Sequence, residues 1–177
     1  MKVGIIGSGG REHALCYALK NSNKIKEIYC FPGNAGTDPI AKNIDIDLND
    51  FSKLKDFIII NELDFIIIGP EKPLVDGMVD FLEKFNIKVF GPNKIASQLE
   101  GSKIFTKKLC EKYKIPTAKF GIFSSIKPAL TFLKSTNFPI VIKADGLAAG
   151  KGVTICKNNK QILSVSNEIF KGKFKSS

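Results

Sequence analysis

A segment rich in glycine and lysine, residues 139–153, carries the residue types that bind a polyphosphate. An apolar run ends at Lys143, and Lys151 lies in the loop that follows. The same loop holds three glycines: Gly146, Gly150 and Gly152. Glycines let a backbone approach phosphate oxygens and point N–H groups at them, while lysines supply positive charge. The alternative interpretation is an ordinary glycine-rich hairpin whose lysines are solvated.

This segment departs from the P-loop pattern G-x-x-x-x-G-K-[ST]. With Gly150 and Lys151 as the G-K pair, Asp145 occupies the first glycine position and Gly152 stands where Ser or Thr is needed. The residues that follow, Val153–Cys156, are typical of a strand rather than a helix. A nucleotide loop between two strands indicates a hairpin that closes over ATP.

Three further loops follow apolar runs, at residues 7–11, 32–37 and 69–71. The carboxyl ends of parallel strands meet at one edge of a sheet, so we expect these loops to converge. Arg11 at a helix N-terminus suits a phosphate, and Asn34 and Glu71 suit sugar hydroxyls. The three loops therefore favour a sugar phosphate; a tight turn with a solvated Arg11 is the alternative.

The first of these loops, Gly7-Ser-Gly-Gly-Arg-Glu12, partly matches the dinucleotide fingerprint G-x-G-x-x-G. Glu12 takes the place of the third glycine, and Phe31-Pro-Gly33 stands where an NAD site has an acidic residue. The sequence therefore disfavours NAD. His13, the single histidine, lies at a predicted helix start, where a structural donor is the favoured role and a catalytic base the alternative.

Charge is distributed unevenly along the 177 residues. Residues 1–100 carry 12 basic and 14 acidic side chains, a balance of −2, whereas residues 101–177 carry 15 and 3, a balance of +12. This shift predicts a domain boundary, with one domain at 1–101 and a second at 102–177. The basic half lacks the interleaved aromatic residues of nucleic-acid binders, so we expect a nucleoside triphosphate and no nucleic acid as its partner.

The cysteines and apolar runs bear on the compartment. Cys16, Cys30, Cys110 and Cys156 lie far apart, which predicts buried, reduced thiols and no zinc site. No apolar run approaches the length of a membrane span, and the chain starts with a strand pattern. We expect a soluble cytoplasmic protein with no membrane partner.

Hydrophobic periodicity predicts strands that alternate with helices in the first part, and a small α+β unit in the second. The first part has predicted strands at 2–7, 27–31, 64–69 and 87–90, and predicted helices at 11–20, 51–60 and 74–85. The second has helices at 103–113 (capped by Ser102), 126–134 and 159–170, a strand at 119–123, and a strand–loop–strand over 139–156.

Taken in order, these motifs resemble the phosphoribosylamine–glycine ligase family of the ATP-grasp superfamily. The matching runs include Gly7-Ser-Gly-Gly-Arg-Glu-His-Ala14, Pro32-Gly-Asn-Ala-Gly-Thr37, Gly69-Pro-Glu71, Phe90-Gly-Pro92, Leu99-Glu-Gly-Ser-Lys103 and Lys143-Ala-Asp-Gly-Leu-Ala-Ala-Gly-Lys-Gly-Val153. The resemblance implies an α/β fold: a parallel-sheet, Rossmann-like N-terminal domain that precedes the ATP-grasp core, then an incomplete ATP-grasp region with a small α+β lid subdomain.

The resemblance also implies an activity. The family ligates glycine to 5-phosphoribosylamine with ATP, through a glycyl phosphate, in de novo purine biosynthesis, and Mg²⁺ accompanies the ATP. A family member is more than twice as long, so we expect this chain alone to be inactive, with the missing C-terminal part of the ligase as a partner. A stand-alone sugar-phosphate or nucleotide-binding module without catalysis is the alternative.

Site residues are implied in two groups. The resemblance assigns ATP binding to Lys103, Lys143, Asp145, Gly146, Gly150, Lys151 and Gly152. It assigns phosphoribosylamine binding to Gly9, Gly10, Arg11, Asn34, Gly36 and Glu71. No catalytic residue and no metal ligand are expected among these 177 residues, because the family's magnesium ligands come later in its sequence.

Overall fold

The structure is a computed structural model that describes residues 1–133, 135–148 and 150–172. The chain divides into two compact units, the first spanning Met1–Ser97 and the second beginning at Gln98. A short helix, Gln98–Gly101, opens the second unit.

The first unit contains a five-stranded parallel sheet with the strand order β3-β2-β1-β4-β5. Its strands are β1 Lys2–Gly7, β2 Glu27–Pro32, β3 Lys42–Asn43, β4 Phe65–Ile68 and β5 Val89–Phe90. The central strand, β1, is buried in five of its six residues, as expected for a parallel strand covered on both faces. The predicted parallel α/β sheet is therefore confirmed.

Apolar side chains cover both faces of this sheet. Alternate residues of β1 point to opposite faces, so Val3 and Ile5 pack in one cluster with Cys16, while Ile6 packs in the other with Phe31. Both clusters are closed to water, with Ile5, Ile6 and Phe31 at 0% exposure. This packing fixes the level at which the strands end and hence the position of the loops that follow them.

Four helices connect the strands of the first unit: α1 Gly10–Lys20, α2 Phe51–Ile60, α3 Glu71–Asp76 and α4 Met78–Glu83. The single helix predicted at 74–85 is wrong, because the chain breaks at Gly77. Gly77 has φ 98°, a left-handed conformation that ends α3 and that glycine adopts without steric cost. The apolar periodicity on both sides of Gly77 belongs to two short helices.

The second unit has helices α5 Gln98–Gly101, α6 Lys103–Lys112, α7 Ile126–Leu133 and α8 Asn159–Phe170. Ser102 caps α6 as predicted, since its Oγ accepts a hydrogen bond from the Phe105 N–H at 3.1 Å. Strands β6 Ile140–Lys143 and β7 Val153–Cys156 pair antiparallel, which confirms the predicted strand–loop–strand. The predicted end of α7 at Lys134 lies outside the described residues.

The strand predicted at 119–123 is wrong. Those residues form no ladder, and Phe123 instead packs against Phe132 of α7, with ring centroids 5.3 Å apart. Aromatic and β-branched residues favour a strand only where a neighbouring strand supplies hydrogen bonds and side-chain contacts.

The cysteines are all free of disulfides. Cys16, Cys30 and Cys156 are buried, as predicted, but Cys110 on α6 is only partly buried. Burial raises the pKa of the Cys16 thiol to about 12, so this thiol is protonated at neutral pH.

Among the residues that the structure describes, no helix combines the length and the apolar content needed to cross a bilayer.

Candidate functional site

The three predicted loops converge at the carboxyl edge of the sheet. The Gly33 N–H donates to the Gly7 carbonyl at 3.1 Å, and Asn34 Nδ2 donates to the Ser8 carbonyl at 2.8 Å and to the Gly9 carbonyl at 3.3 Å. These bonds join the loop after β2 to the loop after β1. The convergence expected from the parallel-sheet rule is therefore confirmed for this pair.

An ion pair joins the loop after β4 to the loop after β1. Arg11 Nη2 donates to Glu71 Oε1 at 2.9 Å, which links the start of α1 to the start of α3. The Glu71 backbone N–H and the Arg11 guanidinium both hold the pKa of the Glu71 carboxyl below its usual range, and Glu71 in turn raises the pKa of Arg11. Both groups stay ionised at neutral pH.

Asn34 also holds the inside of its own loop. Its Oδ1 accepts from the Gly36 N–H at 2.7 Å and from the Thr37 N–H at 3.1 Å. Below it, Asn43 of β3 donates to the Asn34 carbonyl at 2.9 Å and accepts from the Thr37 hydroxyl at 2.7 Å. Sequence reasoning missed Thr37 and Asn43, because neither forms a local motif that indicates this contact.

Glu12 is a further residue that the sequence did not single out for the site. It is 3% exposed, and its Oε2 accepts from the Gly9 N–H at 2.6 Å, while Oε1 has no hydrogen-bond partner. A Cβ added at Gly69 would lie 2.0 Å from Oε1, and one at Gly7 would lie 2.7 Å from Cδ. The glycines therefore leave room for this carboxylate. The spacing of Gly9 and Glu12 is that of a capping box, a signal that could have identified Glu12.

A cleft of about 450 Å³ opens beside these loops. It lies between the carboxyl ends of β1 and β4, where the chain order of the sheet reverses and α/β proteins place their ligands. Of the predicted sugar-site residues, Gly9, Gly10 and Arg11 line it, and Asn34, Gly36 and Glu71 do not. Asn34 and Glu71 are bonded to lining residues, and Gly36 is bonded to Asn34.

Lys72 and Asn49 also line the cleft, and sequence reasoning missed both. Lys72 Nζ donates to Asn49 Oδ1 at 3.2 Å and pairs with Asp76 Oδ2 at 2.5 Å. Arg11 and Lys72 thus bring two cations to one cleft, each with a carboxylate beside it. Such a cleft has donors for an anionic group and acceptors for hydroxyls.

In the second unit, the glycine–lysine loop is closed at its base by the hairpin. Lys143, the last residue of β6, lies opposite Val153, and the Ala144 N–H donates to the Gly152 carbonyl at 2.8 Å. Gly146 and Gly150 have φ of 81° and 77°, which glycine adopts without strain. A Cβ at Gly150 would meet nothing within 4 Å, and Lys151 beside it is exposed.

The start of this loop is attached to α6. Lys103 Nζ donates to the Gly146 carbonyl at 2.8 Å. Asp145 Oδ1 accepts from the Ile104 N–H at 3.1 Å, and Asp145 Oδ2 accepts from the Ser102 hydroxyl at 3.0 Å. The structure therefore brings Lys103 to the loop that begins after Lys143, as a site for polyphosphate requires, and it places the Asp145 carboxylate against protein donors.

Acidic and sulfur ligands are not clustered in the described ranges. No group of three or more His, Cys, Asp or Glu side chains there could hold a metal ion.

Comparison with known proteins identifies the two units. Residues 1–100 match the sequence model of the phosphoribosylglycinamide synthetase N domain, and residues 101–177 match that of the ATP-grasp (A) domain of the same enzyme. The chain belongs to the phosphoribosylglycinamide synthetase family. The family resemblance and the ATP-grasp character expected from the motifs are confirmed.

Individual relatives are named phosphoribosylamine–glycine ligase. The chain is 49% identical over 158 residues to a phosphoribosylamine–glycine ligase of Caldanaerobacter subterraneus, covering 89% of this chain and 38% of the relative. It is 46% identical over 160 residues to one of Clostridium acetobutylicum, covering 90% and 38%. The chain thus spans about two fifths of the length of these relatives.

Solved structures agree with the fold. A crystal structure of phosphoribosylamine–glycine ligase from Thermotoga maritima superimposes with a TM-score of 0.78 at 32% identity, covering 98% of this chain and 40% of that one. The biotin carboxylase domain of a Hydrogenobacter thermophilus carboxylase, at 19% identity and a TM-score of 0.77, shares the fold alone.

Proposed function

We propose that this chain is the N-terminal portion of a phosphoribosylamine–glycine ligase, which joins glycine to 5-phosphoribosylamine with ATP. The observation that carries the proposal is the convergence of three strand-end loops on one cleft that holds two cations. The order of the two domain matches and the names of the relatives support it.

We propose that the cleft of the first unit binds phosphoribosylamine. Gly9, Gly10 and Arg11 line the cleft, and the open space beside Gly10 leaves room for a sugar. Glu71, ionised beside Arg11, is an acceptor for hydroxyl or amine hydrogens, and Asn34 holds Gly36 at the same edge. Lys72, across the cleft, supplies a second cation for the phosphate.

We propose that the second unit binds the phosphates of ATP. Lys103 and Lys143 provide fixed charge at the base of the loop, and the backbone of Gly146, Gly150 and Gly152, with Lys151, closes over the nucleotide. The γ-phosphoryl group passes to the glycine carboxylate, ADP leaves, and the sugar amine then displaces phosphate from the glycyl phosphate.

Magnesium is expected with ATP, where it would neutralise phosphate charge. The lysines and backbone N–H groups of this loop are donors, so they fit phosphate oxygens and do not fit a divalent cation. We therefore assign the metal to residues of the ligase outside this stretch.

We propose a phosphoribosylamine-binding domain at 1–101 and the start of the ATP-grasp domain at 102–177, in a cytoplasmic enzyme completed by the rest of the ligase. The opposite charge balance of the two parts supports this division.

Titration of the isotopically labelled chain tests the proposal. Ribose 5-phosphate, a stable analogue of the sugar substrate, is expected to shift amide signals of residues 7–11, 32–37 and 69–72. ATP is expected to shift signals of residues 102–104 and 143–152. If saturating ribose 5-phosphate moved no signal in the three strand-end loops, the proposed sugar site would be wrong.

A further inference from the structure

Asp145 connects the glycine–lysine loop to the N-terminus of α6. Its Oδ1 accepts from the Ile104 N–H at 3.1 Å, and the Ser102 hydroxyl lies 3.2 Å from Oδ1 and 3.0 Å from Oδ2. Ser102 Oγ meanwhile accepts from the Phe105 N–H at 3.1 Å. The single hydroxyl hydrogen of Ser102 is therefore available for the carboxylate, and Ser102 serves as helix cap and as donor together.

A further bond crosses the same junction in the same direction, from α6 to the loop. Lys103 Nζ donates to the carbonyl of Gly146, the residue after Asp145, at 2.8 Å. Residues 102–104 thus supply the donors and residues 145–146 the acceptors, although 41 to 43 positions separate the bonded residues. We call this set of contacts the α6–loop clasp.

The α6–loop clasp contacts the loop at Asp145 and Gly146, directly after the base of the hairpin. Ala144, just before Asp145, is 1% exposed and is bonded to Gly152 at the base of the hairpin. Later in the loop, a Cβ added at Gly150 would meet nothing within 4 Å, and the Lys151 side chain is exposed. The contacts thus hold the loop to α6 at Asp145 and Gly146 and to the hairpin at Gly152.

The carboxylate also occupies the position that a phosphate would seek. The N-terminus of α6, a ten-residue helix, has N–H groups without partners in the preceding turn and a partial positive charge. Asp145 already takes the Ile104 N–H there, and a carboxylate has no hydrogen to offer a phosphate oxygen at neutral pH. Direct contact between Asp145 and the nucleotide would place two anions together.

We infer that Asp145 is a positioning residue rather than an ATP ligand: through the α6–loop clasp it holds the loop and Lys103 in the arrangement that receives phosphates. The inference rests on the proposed ATP site. The Lys103 ammonium group has three hydrogens, so it can keep its bond to the Gly146 carbonyl and still donate to a phosphate oxygen.

Hydrogen exchange and ATP affinity of the 177-residue chain test this role. In the nucleotide-free chain, Asp145→Ala is expected to speed exchange at the Ile104 amide and at residues 145–148, with the first unit unchanged. ATP affinity is expected to fall roughly tenfold, as for loss of a charge-assisted hydrogen bond. Asp145→Asn keeps an acceptor oxygen, so both effects should be smaller than for Asp145→Ala.

Two further variants complete the design. Ser102→Ala combined with Asp145→Ala should cost less than the sum of the single variants, because each removes the same contact. Glu111→Gln removes one negative charge from the exposed end of α6 and should change neither exchange in the loop nor ATP affinity.

These measurements distinguish a positioning role of Asp145 from direct binding of the nucleotide. Equal losses of ATP affinity in Asp145→Asn and Asp145→Ala, with nucleotide-free exchange unchanged, would identify a direct nucleotide ligand and overturn the inference. Unchanged exchange in Asp145→Ala would overturn it even if ATP did not bind. Absence of ATP binding to the wild-type chain, with the exchange differences present, would support the clasp and count against the proposed ATP site.

Discussion

Arg11 and Glu71 are 60 residues apart in sequence and are joined by a hydrogen bond of 2.9 Å between Nη2 and Oε1. Their side chains are 67% and 43% exposed. Ion pairs with this exposure contribute little to stability because water screens them. The pair therefore matters chiefly for placing a cation and a carboxylate at the edge of the cleft.

This placement predicts the effect of Glu71→Gln. The variant keeps the shape of the side chain and removes its charge, so the melting temperature should barely change while affinity for ribose 5-phosphate falls roughly tenfold. Calorimetric titration and thermal unfolding measure the two quantities. The matched control is Glu27→Gln, which breaks the exposed Glu27–Lys42 pair elsewhere in the same unit. Equal loss of affinity in both variants would contradict the assignment.

The pair also predicts a pH dependence. The folded-state pKa of Glu71 lies below its ordinary value, so its contribution to stability is present above that value and is lost as pH falls through the lowered pKa. The carboxyl of Glu71 should therefore titrate below pH 4.5, the ordinary value. Arg11→Ala should raise the pKa of Glu71 only part of the way back to its ordinary value. The Glu71 backbone N–H, which is the larger cause of the lowered pKa, remains in this variant.

Carboxyl-carbon NMR titration of the wild-type chain and of Arg11→Ala measures this midpoint. An Arg11→Ala midpoint identical to that of the wild type would show that the Arg11 contact does not exist in solution.

Two glycines at the cleft predict opposite effects. Gly69→Ala would bring a Cβ to 2.0 Å from Oε1 of the buried Glu12, which has no room to move. We expect a loss of unfolding free energy of about 1–3 kcal/mol, the usual cost of overpacking. Gly10→Ala meets nothing within 4 Å at the exposed start of α1, so stability should hold or rise by about 0.4–1 kcal/mol.

The same two variants separate folding from binding. Gly10 lines the cleft, so its added methyl group should weaken binding of ribose 5-phosphate although the protein is no less stable. Chemical denaturation and calorimetric titration give the two numbers for each variant. Unchanged affinity in Gly10→Ala would remove Gly10 from the sugar site.

The loop lysines differ in how firmly they are held. Lys143 ends β6 opposite Val153, so its charge is positioned by the hairpin, whereas Lys151 lies beside the open backbone of Gly150 and must be ordered when ATP binds. We expect Lys143→Ala to lose more ATP affinity than Lys151→Ala, by roughly ten- to a hundredfold against wild type. Lys151→Ala should instead affect turnover.

This comparison is made in a completed chain, in which the remainder of the Caldanaerobacter ligase follows residues 1–177. Lys160→Ala, on the exposed face of α8, controls for loss of one positive charge. A larger loss of ATP affinity in Lys151→Ala than in Lys143→Ala would reverse the two roles.

Much of the fold follows from local patterns. The buried strand Lys2–Gly7 and the helix Phe51–Ile60 have the bounds that periodicity predicts. β3 was missed because Lys42 and Asn43 are polar, and a two-residue strand has no period. Gly77 was passed over because apolar spacing continues across it, and only its left-handed φ reveals the break.

The sequence predicts the candidate site only where residues follow the carboxyl ends of parallel strands. Parallel strands bring their carboxyl ends together, so the approach of Asn34 to Gly9 could be expected. The contact of Asp145 with Ser102 could not, because it joins a loop to a helix 43 residues away with no shared periodicity. Lys72 was missed for a related reason: its neighbour Asn49 comes from a different loop.

Turnover of the completed chain tests the central claim most directly. The measurement is ADP formation that depends on both glycine and phosphoribosylamine, with glycinamide ribonucleotide identified by mass spectrometry. We predict turnover in the completed chain, none in residues 1–177 alone, and a loss in the completed Glu71→Gln variant. A completed chain that is folded and binds ATP and ribose 5-phosphate, yet forms no product, would contradict the ligase account and favour a binding module without catalysis.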